Sequence, residues 1–142
     1  MRDDITTLCG ERIGLDIDGT ISAYPEYYSA LSRTVISNGG RVVVISSRRE
    51  DSRGVTKAQL DEWSITYDSL YLFLPYDEVE HLAPAGVTDW YERYLWQKID
   101  YASSENLTSF HDDEPKVISL FQMYRPEIRI IEAGNGGWRD EQ

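Results

Sequence analysis

The sequence predicts an α/β sandwich in which a mostly parallel five-stranded sheet carries helices on both faces. Three observations predict it. Short apolar runs alternate with helical patterns along the chain, the order expected of strand–helix–strand crossovers. One run, VVVI at 42–45, is apolar at every position, which suits a strand covered on both sides. The 142 residues, 41% apolar with 4 Trp, 10 Tyr and 3 Phe, amount to a single domain with a substantial core.

The first strand is expected over 13–17, the second over 41–46 (RVVVIS) and the third over 70–74 (LYLFL). A weaker fourth, LTSFH, covers 107–111, and the fifth covers 128–131. Between them, 25–38 sets Tyr28, Leu31 and Val35 at helical spacing, opens on a proline and ends at Gly39-Gly40. A helix over 51–63 starts from an acidic, Ser-containing cap region. The segment 89–102 is the clearest amphipathic one, and 114–124 opens on Glu-Pro and stops before Arg125-Pro126. The stretch 75–88, with two prolines and one glycine, reads as an irregular loop, either functional or loosely ordered. The tail from 134 to 142 is expected to fray. No internal repeat is present.

The composition also narrows the partners. No apolar run approaches the roughly 18 residues of a membrane span, and the first residues lack a signal-peptide core. The single Cys9 has no partner for an internal disulfide, so a cytoplasmic protein without a membrane partner is the expectation. A net charge of −11 opposes long nucleic acid. The small basic group Arg48, Arg49, Arg53 and Lys57 suffices for one phosphate, or is a solvated helix start.

Ligands of open α/β sheets bind beyond the carboxyl ends of the strands. The first strand ends there in Asp16-Ile17-Asp18-Gly19-Thr20, the second in Ser46-Ser47-Arg48 and the fourth in Asp112-Asp113. Several carboxylates converging on one crevice repel each other, so some must protonate or bind a cation. An all-oxygen donor set suits a hard divalent ion, Mg²⁺ above all in phosphate chemistry. Side chains of Asp16 and Asp18 would diverge in a strand, so a turn from Ile17, freed by Gly19, is needed to bring both to one ligand. Lys98 lies within the apolar stripe of 89–102, where it either faces the sheet or snorkels past its aromatic neighbours. Each feature has a plainer reading: Ser46-Ser47 as a loop start, Asp112-Asp113-Glu114-Pro115 as a helix cap, Arg48 as a surface residue. His111 reads as a strand residue beside the site, His81 as a loop residue, and Tyr24, Tyr27 and Tyr28 as helix packing.

In order and spacing, these motifs resemble the haloacid dehalogenase-like (HAD) superfamily of phosphohydrolases, from residue 13 to about 131. The resemblance rests on DxDGT at 16–20, Ser46 closing an apolar strand, a helical Lys98, and the acidic pair Asp112-Asp113. It implies a Rossmann-like three-layer sandwich and a Mg²⁺-dependent phosphatase. Asp16 would be the nucleophile and Asp18, oriented by Thr20, the general acid and then base. Ser46, with Thr20, Ser47, Arg48 and Lys98, would bind the phosphoryl group or the rest of the substrate. The metal would be held among Asp16, the Ile17 carbonyl, Asp18 and the Asp112-Asp113 pair, with Asp113 the direct ligand of that pair.

Asp16 and Ser46 are 30 positions apart and Ser46 and Lys98 are 52 apart, so neither gap holds a cap domain. The resemblance is thus to capless members, whose open site either acts on large substrates or is closed by a loop or by a neighbouring subunit of a homo-oligomer. The Tyr-rich turn after Asp18 and the 75–88 segment would form the rim. The expected substrate is a small phosphorylated metabolite or nucleotide. The alternatives are a phosphoprotein, a nucleic-acid end, or a phosphate-binding or phosphorylatable module without turnover. The same residues would serve a phosphotransferase.

Overall fold

The computed structural model describes residues 10–134; Cys9 and the tail from 135 lie outside the described residues. Five strands form one sheet: β1 (Arg12–Leu15), β2 (Arg41–Arg49), β3 (Ser69–Phe73), β4 (Ser109–Asp112) and β5 (Arg129–Glu132). Their order is β3-β2-β1-β4-β5, and every pairing is parallel. The α/β three-layer, Rossmann-like class read from the sequence is therefore the fold.

The apolar run of β2 explains the layers. Its side chains alternate, so Val42 and Val44 join Ile13, Leu15, Leu70 and Leu72 on one face, while Val43 and Ile45 join Phe73 and Phe110 on the other. Helices α1 (Pro25–Ser37) and α2 (Arg53–Glu62) cover the first face through Tyr28, Val35 and Leu60. After the one-turn helix α3 (Tyr76–Val79), helices α4 (Trp90–Ser104) and α5 (Pro115–Tyr124) cover the second through Leu95, Ile99, Val117 and Phe121. Each such side chain, fully withdrawn from water, contributes roughly 1.5–3 kcal/mol of transfer free energy. Gly14 of β1 makes room for this layer, since a Cβ there would sit 2.4 Å from the Phe110 ring.

Several boundaries differ from the sequence expectation. β1 stops at Leu15, although the Asp16 amide still bonds the His111 carbonyl at 3.0 Å. β2 continues to Arg49, with a shift in its pairing to β3 between Ser46 and Arg49. β4 begins at Ser109, because Asn106 takes a positive φ of 58° and Leu107 turns into the core. A short turn, Glu50–Ser52, precedes α2, which starts at Arg53.

The largest difference is the 75–88 segment. It holds α3 and a further single turn, Glu80–Leu82, and buries Val79, Ala83 and Val87. Its backbone is fastened by Arg93 of α4, which donates to the carbonyls of Ala83 (3.0 Å), Pro84 (3.0 Å), Val87 (2.6 Å) and Glu80. One guanidinium thus satisfies carbonyls that have no ladder partner, so of the two expectations for this segment, loose order is excluded. No described helix is long and apolar enough to cross a membrane.

The chain winds outward from β1 to β3 and then crosses to β4 on the opposite side of β1. The reversal leaves a crevice beyond the carboxyl ends of β1 and β4, the place where ligands bind in sheets of this kind.

Candidate active site

The residues after β1 form a tight turn. Asp18 (φ −74°, ψ 122°) and Gly19 (φ 84°, ψ −9°) have the central angles of a type II turn, which calls for glycine at the second of these positions. The Ser22 amide, five residues on, bonds the Ile17 carbonyl at 2.9 Å and encloses this turn, and the Gly19 amide donates to Ser22 Oγ at 3.0 Å. Gly19 is required for a second reason: a Cβ there would lie 2.1 Å from Asp113 Oδ2. The turn after β1 and the acidic pair after β4 are therefore in direct apposition.

Asp16 points into the interior beside Lys98, which reaches it from α4. Both are almost wholly buried, 4% and 2% exposed. Lys98 Nζ donates to Asp16 Oδ1 and to Asp112 Oδ2, each at 2.7 Å. Of the two sequence readings of Lys98, the structure adopts the one facing the sheet. The ammonium also stands 5.9 Å from the centre of the Phe110 ring. Thr20 Oγ1 donates to Asp16 Oδ2 at 3.2 Å, and the Glu114 amide donates to Asp112 Oδ1 at 2.9 Å.

Carboxylate oxygens of Asp16, Asp112 and Asp113 lie within 4.8 Å of one another. Three carboxylates share one ammonium, so the group carries excess negative charge in a poorly solvated place. Burial raises the Asp16 carboxyl to about 7, with Asp112 and Asp113 adding to the rise and Lys98 opposing it. Burial and Asp112 likewise raise Asp113. Burial pulls the Lys98 ammonium down, but Asp16 and Asp112 outweigh it and keep the lysine charged. The donor chemistry fits a hard divalent cation, whose charge would relieve the repulsion. Asp112 has both oxygens engaged, whereas Asp113 is exposed, which favours Asp113 as the ligand of the pair.

Asp18 differs from expectation. It stands outside the carboxylate group and forms a two-pronged pair with Arg48, Nε to Oδ2 and Nη2 to Oδ1, both 2.9 Å. Those hydrogen bonds hold its carboxyl below the usual range, against a partial desolvation. Thr20 orients Asp16 rather than Asp18, and the Ile17 carbonyl is taken by the turn. Of the expected metal ligands, Asp18 and Ile17 are thus turned to other partners in this structure. Arg48 is no loose surface residue: Gln59 Oε1 and Thr56 Oγ1 of α2 accept from its Nη1 at 2.6 and 3.3 Å.

The serines divide by strand alternation. Ser46 is fully buried and its Oγ accepts from the Arg48 amide at 3.1 Å, while Ser47 lines the open cavity with Asp16, Asp18, Lys98 and Asp113. That cavity, about 150 Å³, is completed by Tyr91 and Leu95 of α4. Neither was singled out from the sequence, although both lie one or two turns before Lys98 on its own helix. Gln97 was also missed. Buried beside Lys98, it bonds the Leu74 amide (2.8 Å) and carbonyl (3.1 Å), docking α4 on the end of β3. His111 sits behind Asp112, its Nδ1 3.1 Å from the Tyr28 hydroxyl, and burial lowers its pKa to about 4, with Arg129 contributing. His81 lies on the exposed turn Glu80–Leu82, away from this cavity.

No protein-family model matches the sequence, and no curated protein matches it. Two solved structures share its architecture. One chain of "Structure of Pnkp1/Rnl/Hen1 complex" aligns over 88% of this protein and 47% of itself, at 15% identity and a TM-score of 0.59. One of "Structure of the Pnkp1/Rnl/Hen1 RNA repair complex" aligns over 89% and 43%, at 14% identity and a TM-score of 0.60. The protein thus spans less than half the length of each of these two chains, and at this identity what it shares with them is the fold.

Proposed function

We propose that the protein is a Mg²⁺-dependent phosphoric monoester hydrolase of the capless HAD type, working through an aspartyl-phosphate at Asp16. The observation that carries this reading is the buried Lys98 bridging Asp16 and Asp112 at the switch point of a parallel sheet, open to a small cavity. The ammonium is set between two carboxylates at 2.7 Å and also borders the cavity, where it can meet a ligand. Held between them, it keeps Asp16 oriented and neutralises charge gathering on a phosphoryl group.

Asp16 and Asp113 would hold Mg²⁺, with Asp112 adding negative charge beside them; the ion would neutralise charge on the phosphoryl oxygens and keep Asp16 ionised. The Asp16 carboxylate attacks phosphorus as the bond to the leaving oxygen breaks, and that oxygen takes a proton from Asp18. Asp18 then removes a proton from water, which attacks the acyl phosphate, frees inorganic phosphate and restores Asp16. The pair with Arg48 holds Asp18 ionised, so the acid step requires Arg48 to exchange Asp18 for a phosphoryl oxygen. Ser47, on the cavity wall, is better placed than Ser46 to donate to that group.

The small cavity and the charge of −11 support a small phosphorylated metabolite or nucleotide as substrate. A nucleic-acid end is a second reading, suggested by the RNA repair complex in which one fold neighbour was solved. A phosphorylatable module without turnover is disfavoured by Asp18, which such a module has no use for.

The test is turnover of a panel of phosphate esters, including phosphorylated RNA ends, with and without Mg²⁺. Both Asp16→Asn and Asp18→Asn are expected to abolish steady-state turnover, and Asp16→Asn to abolish acid-stable labelling by substrate phosphate as well. Full activity in Asp16→Asn would end the proposal.

A further inference from the structure

A second cavity, about 600 Å³, opens beside the carboxylate site. Its walls are Phe73 and Pro75 at the end of β3, Tyr76 of α3, and Trp90 and Tyr94 on the first turns of α4. The rings are set edge to face: Phe73 to Tyr94 at 5.1 Å and 89°, Tyr76 to Trp90 at 6.1 Å and 89°. Such a set presents both ring faces and ring edges to a flat guest. Trp90 is 63% exposed, an unusual state for the largest apolar side chain at the start of a packed helix. The rim is polar, formed by Arg49, Glu50 and Asp51. The Glu50 carboxylate is paired with Arg53, whereas the Arg49 guanidinium makes no hydrogen bond or ion pair among the described residues.

The two cavities share their supports. On β2, Ser47 lines the carboxylate cavity and Arg49 the aromatic one, within the stretch where the strand's pairing to β3 shifts. On α4, Tyr91 and Leu95 line the first, and their immediate neighbours Trp90 and Tyr94 line the second. The two cavities thus adjoin along both elements, so one ligand can extend from the first into the second.

We propose that the aromatic cavity is a nucleobase subsite, so that the substrate of the neighbouring site is a nucleotide rather than a sugar or alkyl phosphate. A base supplies the π-face that Trp90, Tyr76 and Tyr94 can stack on, a contact indifferent to base identity. The acids at the rim accept from exocyclic amino groups and ring N–H, and Arg49 donates to ring or carbonyl acceptors. A sugar phosphate would leave the aromatic walls wet. A lipid phosphate would leave Arg49 and Asp51 facing hydrocarbon. This inference rests on the phosphatase reading for its chemical step, and on the cavity alone for its binding step.

The experiment compares kcat/KM for adenosine 5′-monophosphate with that for ribose 5-phosphate, which has the same phosphate and pentose and no base. The nucleotide is expected to be better by about tenfold or more, the range of one stacked base. Trp90→Ala should bring the ratio of the two values towards one, and Trp90→Phe should keep most of it. A ratio near one in the wild type, or one unchanged in Trp90→Ala, overturns the subsite while leaving the hydrolase reading intact. If no ester is turned over, the hydrolase reading fails and binding decides. Quenching of tryptophan fluorescence by adenosine 5′-monophosphate in the Asp16→Asn protein, absent when Trp90→Phe is added, sustains the subsite, and no quenching overturns it. A short oligoribonucleotide ending in a 3′-phosphate, tested in parallel, tells whether the base comes from a free nucleotide or a strand end.

Discussion

Gly19 is the residue on which two demands coincide. Its φ of 84° suits glycine, and its missing Cβ leaves the space that the Asp113 carboxylate fills. Gly19→Ala is expected to cost about 1–2 kcal/mol for the backbone conformation alone. The larger effect is to push Asp113 away from Asp16. Urea unfolding should report the first, and a weakened Mg²⁺ affinity measured by calorimetry the second. An alanine variant that binds Mg²⁺ as tightly as the wild type would show that Asp113 is not a ligand. The identities of Asp16, Asp18, Lys98 and Asp113 were legible as residue types at a characteristic spacing. Their partners were not, because hydrogen-bond direction depends on side-chain torsions that no spacing encodes. Thr20 beside Asp16 instead of Asp18, and Arg48 held by Gln59, are of that kind.

At the level of elements, order and type were readable because strands of a doubly covered sheet must be apolar and helices must be amphipathic. What was not readable was order produced by one distant side chain. The 75–88 segment carries two prolines, a glycine and little periodicity, yet it is fixed because Arg93 lies beneath its carbonyls. Arg93→Ala removes the donor of the Ala83 and Val87 carbonyls, while Pro84 keeps the Val87 amide, at about 1–3 kcal/mol for each carbonyl that water cannot reach. Limited proteolysis should then cut within 75–88 well before the wild type is cut anywhere between residues 10 and 134. Equal resistance would mean that the burial of Val79, Ala83 and Val87 suffices. β4 shows the converse limit: LTSFH looked weak because it holds Ser109 and His111, and both are buried.

For the whole molecule, two buried groups set opposing pH dependences. His111 has a folded pKa near 4 against 6.5 when unfolded, so the unfolded chain binds more protons between those values. That term removes up to about 3 kcal/mol of stability as pH falls from 6.5 to 4. Asp16 is raised to about 7 from 3.8, so the folded chain binds more protons in that window, and this term adds stability as pH falls. Without metal the two largely offset, and stability measured by urea unfolding should vary little between pH 4 and 6.5. In Asp16→Asn, stability should drop towards pH 4; in His111→Asn it should rise. Parallel profiles for the two variants would refute the pairing. Mg²⁺ should stabilise most above pH 7, where Asp16 is already ionised, and little at pH 5.

The winding order has one more consequence. Asp16 and Lys98 touch although 82 positions separate them, because β1 lies at the middle of the sheet while its cation arrives from the other flank. The buried carboxylate therefore belongs to one half of the polypeptide and its counter-charge to the other. A break between β3 and α4 would divide the carboxylate site between two pieces, neither of which carries it alone. Any activity such a pair regained would be a direct readout of their reassembly.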